Sequence, residues 1–275
     1  MKLPRLLSSA CCPPPAAPRR LLRVSALANA TIAAALFAAF SSATAAPMDA
    51  RLRCPRVYKC PYITDGLVAW YDGIWNAGMG KHDANATVWI DLINGKTLAF
   101  NGNYTVNADN LYIPEGSYAH GSTISHIGAD TIEMVIQATS HPANSAAFDW
   151  RSSSSSSSYA RLLLYGWDNA NLQNYGAYAK SDGTFCAQSS IVGNRVSVSF
   201  VDSLASYSGW LNGEQKTSKT GQTGTDAGAA YLWLNYYVGK YTMSANYHCI
   251  RIYNRALTAD EIAHNYAVDK ERFGL

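Results

Sequence analysis

Hydrolysis of a glycosidic bond needs two convergent carboxyl groups, one acid and one nucleophile or base. The carboxylates of this chain are scattered. Glu133 stands alone among Ile, Met and Val, and Asp91, Asp168 and Asp202 fall in separate segments. Asp260 and Glu261 are neighbours, but they follow Thr258 in the pattern of a helix start. Glu133 is therefore read as a solvent-facing strand residue. A serine nucleophile would need a Gly-x-Ser-x-Gly elbow, which does not occur. His82, His120, His126, His141, His248 and His264 show no metal-ligand spacing on one element, and no Cys-x-x-Cys pair marks a zinc site. His248 and His264 read as packed or surface residues. On these grounds the chain is expected not to be an enzyme.

Sugar binding asks for different residues. A ring stacks on the sugar's apolar face, and Asn, Asp and backbone amides take the hydroxyls. Trp75, Trp167, Tyr236 and Tyr237 are the candidate rings, with Asp168, Asn169 and Asn235 beside them. Trp167-Asp-Asn-Ala-Asn171 is the richest single loop. The competing reading is that these rings fill or edge a core.

Positioning such residues falls to strands. Ile250 and Ile252 alternate with Arg251 and Tyr253, the period-two pattern of a half-buried strand. Thr131–Gln137 alternates in the same way, with Ile132, Met134 and Ile136 on one face. Gly66–Tyr71, Arg161–Tyr165, Arg195–Val201 and Ala230–Leu234 are further strands. Asn212-Gly213 makes the best hairpin, joining Tyr207–Leu211 to Glu214–Lys216, and Asn94-Gly95 predicts another tight turn. A second hairpin is expected around Ser181-Asp-Gly183, between Tyr175–Lys180 and Phe185–Ala187. The seven serines at 152–158 read as a surface loop. After the last strand, Thr258 and Glu261 form a capping box, Ile262 and Tyr266 share a helix face, and Gly274 offers a stop.

The run Ile-Arg-Ile-Tyr-Asn-Arg-Ala-Leu-Thr-Ala-Asp-Glu-Ile, residues 250–262, resembles the C-terminal signature of laminin-G-like domains of the concanavalin A-like lectin/glucanase superfamily. Asp65-Gly-Leu-Val-Ala-Trp-Tyr71 is similar to that family's first strand, and Trp89-Ile-Asp-Leu-Ile-Asn-Gly95 to its tryptophan–aspartate–leucine–glycine segment. The resemblance implies an all-β fold: a two-sheet antiparallel jelly-roll sandwich, concanavalin A-like, with a short C-terminal helix. It also implies a lectin-like, carbohydrate-binding role and allows calcium as the one cofactor, held by loop carboxylates. Asp72, Asp91, Asp168 and Asp226 are the metal candidates. Related sandwich hydrolases carry a Glu-x-Asp-x-x-Glu strand, which is missing here. The expected function is a secreted, non-catalytic module that binds carbohydrate or glycosylated surfaces. The alternatives are a polysaccharide-acting glycosidase or lyase of the same superfamily, and a structural or adhesion domain that contacts protein.

The remaining features bound the setting. Residues 1–45 hold five Lys/Arg and no acid, then an apolar run, then Ala43-Thr44-Ala45, the order of a signal peptide. A mitochondrial transit peptide is the alternative. Residues 46–64 read as a linker and 65–275 as the domain. Five of the 22 Lys/Arg lie in the leader, which leaves 17 beside 19 Asp/Glu, with no clustered basic patch for nucleic acid. No stable membrane insertion is expected once the leader is removed. A secreted, cell-surface or periplasmic location follows. Four cysteines remain beyond the leader, and Cys54–Cys60 is the favoured disulfide among three connectivities. Cys186 and Cys249 are read alternatively as separate buried thiols. Asn85-Ala-Thr87 and Asn103-Tyr-Thr105 match the N-glycosylation pattern.

Overall fold

The computed structural model describes residues 60–126, 129–140, 145–151, 158–164, 171–174, 183–187, 191–203, 205–220, 228–236 and 242–275. The described residues form two antiparallel sheets and one helix. Strands are labelled in chain order. The first sheet runs β14 (Glu214–Thr220), β13 (Ser206–Leu211), β12 (Val196–Asp202), β7 (Thr131–Ser140), β16 (Ser244–Tyr253), β5 (Leu111–Ile113), β4 (Thr105–Val106), with β1 (Leu67–Asp72) also on β16. The second runs β11 (Gly183–Ala187), β10 (Asn171–Asn174), β9 (Ser158–Leu164), β8 (Ser145–Arg151), β15 (Gly228–Leu234), β6 (Tyr118–His126), β3 (Thr97–Asn101), β2 (Val88–Ile90). The helix, α1, spans Ala259–Phe273.

The core lies between the sheets. Ile132, Met134 and Ile136 of β7, Val198 of β12 and Ile250 and Ile252 of β16 join Leu98, Ala119, Phe148, Trp150, Leu232 and Leu234 of the second sheet in one buried cluster. A second layer lies outside the first sheet. There Tyr62, Trp70, Val135, Val201, Cys249 and Tyr253 pack with Leu257, Ile262 and Phe273 of the helical end. Fully burying Ile262 and Phe273 favours docking of α1 by about 1.5–3 kcal/mol each. The centre of the first sheet is thus covered on both faces, and β16 is buried from Tyr247 to Tyr253. The half-buried reading of Thr131–Gln137 and Ile250–Tyr253 is corrected here: alternate residues face the core and the helix, not solvent.

The helix ends follow their residues. Thr258 Oγ1 accepts from the Glu261 amide, and the Glu261 carboxylate accepts from the Thr258 amide, closing the capping box. Gly274 adopts φ 67°, and its N–H donates to the Lys270 carbonyl. Asn212 and Gly213 both take positive φ, 51° and 76°, which turns β13 into β14 with the right twist. The expected second hairpin differs: its first strand is Asn171–Asn174 rather than 175–180, which lie outside the described residues, as do 152–157 of the serine tract. Tyr62 is 4 % exposed and packed on α1, so the sandwich begins before residue 65. Among the described residues no helix is long and apolar enough to cross a membrane.

Candidate functional site

Alternation places rings on the outer face of the second sheet. In β6, Ala119 points into the core, so Tyr118 and His120 point away from it. In β15, Leu232 and Leu234 are core residues, so Tyr231 and Trp233 face outward. β6 pairs with β15, setting Trp233 opposite His120. Those two rings stack at 4.5 Å between centroids and 24° between planes. Tyr118 lies 5.7 Å from Trp233 and 5.7 Å from His120.

A fourth ring comes from a turn. Asn235 adopts φ 60°, which bends the chain at the end of β15. Its side chain is fully buried and stitches three segments. The amide donates to the Ser117 and Met243 carbonyls, both at 2.8 Å, and its oxygen accepts from the Met243 amide at 2.8 Å. The bend returns Tyr236 onto Trp233, 4.8 Å away at 26°, and 4.8 Å from Tyr118. Tyr118, His120, Trp233 and Tyr236 thus form a half-buried aromatic platform, with Tyr231 exposed at 44 % beside it.

Polar groups border the platform. Asn101 pairs with Tyr118, and its amide donates to the Ala99 carbonyl at an exposed position. Asp149 of β8 pairs with Trp233, on the face opposite core residues Phe148 and Trp150, and is fully buried. Burial pulls the His120 imidazole below its ordinary pKa, so the ring is neutral at pH 7 and can accept or donate a hydrogen bond. Stacked rings with neutral donors and acceptors at the rim suit a ligand with an apolar face and hydroxyls.

The expected site residues separate. Tyr236 is on the platform, and Asn235 is its buried support. Trp75 is elsewhere: its ring lies 5.8 Å from Trp70, with the Arg272 guanidinium 4.8 Å above it. Trp167, Asp168, Asn169, Tyr237 and Asp226 lie outside the described residues. Tyr118, His120 and Trp233 were missed. Their alternation with Ala119 and Leu232 was available, but the pairing of β6 with β15, over a hundred residues apart, was not.

Asp72 and Asp91 do not fit calcium. Asp72 Oδ1 accepts from the Ile74 and Trp75 amides, and Oδ2 accepts from Trp70 Nε1 and from Arg272 at 2.6 Å. Asp91 accepts from the Trp70, Ile93 and Asn94 amides at 2.8–3.0 Å. Burial raises the Asp91 pKa against those amides. Both carboxylates face N–H donors, where a cation would need free oxygens. Among the described residues, no three His, Cys, Asp or Glu side chains converge as a metal set.

The densest charge cluster lies beneath α1. Arg251, fully buried, donates from Nε to Glu133 at 2.9 Å and bidentately to Asp269 at 2.6 and 2.7 Å. Its guanidinium sits 3.9 Å over the Tyr62 ring. Asn265 Nδ2 donates to both Glu133 and the Tyr253 hydroxyl. Glu133 is 1 % exposed, which corrects its expected solvent-facing place. Burial raises its pKa, with Asp269 adding to the rise and Arg251 opposing it. The cluster ties helix to sheet, and its burial keeps a glycosidic bond away. Cys249 beside it is a buried thiol, pushed up to about 12 by desolvation. Cys54 lies outside the described residues.

No protein-family model matches the chain, and no curated protein matches it at a significant level. Solved structures share its fold. A sialidase from Trypanosoma rangeli superposes with a TM-score of 0.57 and 14 % identity, covering 75 % of this chain and 33 % of the sialidase. The same enzyme with the inhibitor DANA gives a TM-score of 0.56 at 15 % identity, over 74 % of this chain and 33 % of that one. The receptor-binding domain of botulinum neurotoxin type G gives 0.52 at 14 % identity, over 74 % and 52 %. The match therefore spans about a third of the sialidases' length and about half of the toxin domain's. The likeness establishes a β-sandwich. It also overturns the expectation that the chain is not an enzyme. Hydrolases are among the structures that share its fold, so a missing strand motif is no ground for setting catalysis aside.

Proposed function

We propose that this chain is an exported, carbohydrate-directed β-sandwich of the laminin-G-like kind, which seats a sugar on the Tyr118–His120–Trp233–Tyr236 platform. The observation that carries this reading is the platform itself: four rings from two paired strands and one buried-asparagine turn, stacked on an outward sheet face. A sugar's C–H face would lie across the outward edges of the stacked rings, with hydroxyls directed to His120, Asn101 and the tyrosine hydroxyls. The sialidase likeness favours carbohydrate as the ligand class. Asp168 and Asp226 are the remaining candidates for a calcium ion, and Cys54–Cys60 for a disulfide.

A second reading is that the bound glycoside is also cleaved. It is favoured by the hydrolases that share the fold, and its carboxylate would be Asp149, next to Trp233 in the sheet register, which is fully buried and would have to become accessible to a bound glycoside. A second carboxyl would then have to approach Asp149 within about 5–10 Å.

The test is a glycan array on the full chain, run with calcium and with chelator, with product analysis of every bound glycan. Trp233→Ala should weaken binding by about two- to thirteenfold, from the 0.5–1.5 kcal/mol an aromatic stacking contact contributes beyond its area. Equal binding by Trp233→Ala and wild type would remove the platform from the reading. Cleavage abolished by Asp149→Asn with binding retained would establish the second reading.

A further inference from the structure

We infer that Asn85 and Asn103 carry N-linked glycans that cover the terminal strands on one side of the sandwich. Between residues 60 and 275, Asn85-Ala-Thr87 and Asn103-Tyr-Thr105 are the two Asn-X-Ser/Thr triplets. A triplet alone is weak, because the pattern is cheap to match. What raises these two is where the fold puts them.

Each triplet shows the same exposure pattern. Asn85 and Thr87 are exposed while Ala86 between them is buried. Asn103 and Thr105 are exposed while Tyr104 turns inward, 4.7 Å from the Phe100 ring. The acceptor amide and the hydroxyl two residues on therefore share the solvent side in both. Both acceptors sit in turns held through the backbone. The Asn85 N–H donates to the Asp83 carboxylate at 2.8 Å, and the Asn103 N–H donates to Ser117 Oγ at 2.9 Å. A glycan added as the chain emerges thus meets no packed surface when the sandwich closes.

The two triplets also mark the same structural feature. Asn85 precedes β2, the last strand of the second sheet, and Asn103 precedes β4, the last strand of the first. Residues 84–86 and 104–106 line one open cleft of about 360 Å³, so the two ends lie side by side. Among the described residues no further strand pairs with either. A terminal strand offers backbone donors and acceptors to another chain, and bulky hydrophilic cover is one way to block that pairing.

The acceptor chemistry is conventional in its balance. The asparagine amide nitrogen bonds to the anomeric carbon of an oligosaccharide carried on a lipid pyrophosphate. The bond from that carbon to the pyrophosphate oxygen breaks, and the amide gives up one proton. The co-reactant is supplied by a glycosylating secretory compartment, which the chain would reach through its own leader.

The experiment is expression of the full chain, with its own first 45 residues, in a eukaryotic secretory host. Peptide N-glycosidase treatment should lower the apparent mass and convert Asn85 and Asn103 to aspartate in the peptide map. Asn85→Gln and Asn103→Gln should each remove one glycan, while Thr87→Ser and Thr105→Ser should keep them. The double variant should self-associate more than wild type in sedimentation over a concentration series. A chain that leaves the host unmodified, one that stays in the cytosol unmodified, or glycans found only at other asparagines would overturn the assignment. Equal self-association would overturn the edge-covering role.

Discussion

Arg251→Met is the most informative single change to the fold. Among the described residues Arg251 is the only cation bonded to Glu133, and it holds Asp269 in a two-pronged pair, all three within 1 % of full burial. Methionine fills most of the space and leaves two acids facing each other without their shared counter-charge. The neutral partners that stay are Asn265 and Ser199 on Glu133, and Tyr62 and Ser197 on Asp269. These satisfy lone pairs but cannot neutralise charge. Breaking a buried pair by removing one partner costs about 3–5 kcal/mol. At about 2–4 °C per kcal/mol for a domain of this size, the melting midpoint should fall by roughly 6–20 °C. The loss should depend on pH in a defined direction. Burial already holds the Glu133 pKa above its ordinary value, and Arg251 restrains that rise. In the variant the folded-state pKa climbs further above the unfolded one. Such a group favours the folded state below its unfolded pKa and loses that contribution as pH rises through the folded value. The deficit of Arg251→Met against wild type should therefore be largest near pH 7 and shrink toward pH 5. Urea titrations across that range, with Glu133→Gln/Arg251→Met/Asp269→Asn as the neutral comparison, measure it. A deficit under about 1 kcal/mol at pH 7, or one that does not change with pH, would refute the assignment of the cluster as a charge-balanced clamp.

Two further expectations follow from named contacts. Thr258→Ala removes the capping-box acceptor and should cost about 1 kcal/mol in denaturant unfolding, with Thr258→Ser close to wild type. His248 is fully buried between Asp109, Arg195 and Phe273, and its pKa is pulled down to about 4, by burial first and Arg195 second, with Asp109 opposing. Its folded pKa lies below the unfolded value near 6.5, so the unfolded chain binds the proton first. Stability should fall as pH drops from about 6.5 to 4, by up to about 3 kcal/mol at 1.36 kcal/mol per pH unit, and His248→Asn should flatten that slope. Parallel pH profiles of the two proteins would contradict this.

The local elements were readable because their causes are local. Thr258, Glu261 and Gly274 specify a helix and both its ends through contacts a few residues apart. Asn212-Gly213 specifies its hairpin because both residues tolerate positive φ. Strand character in Thr131–Gln137 and Ile250–Tyr253 followed from alternation, although the fate of the second face did not. A sequence pattern records that Glu133 and Arg251 alternate with apolar neighbours. It does not record that a helix will cover them.

The amino-acid sequence by itself determined an all-β chain closed by a capped C-terminal helix, since propensity, turn chemistry and capping act over a few residues. Only the tertiary structure decided which side chains meet. β7 lies beside β16, so Glu133 meets Arg251, and α1 lies over that sheet, so Asp269 completes the cluster. β6 lies beside β15, so Tyr118 and His120 join Trp233 in a platform that no single segment announces. The physical reason is the same in both cases. Pairing between strands a hundred residues apart is selected by burial of the whole core, a collective quantity that no local spacing encodes.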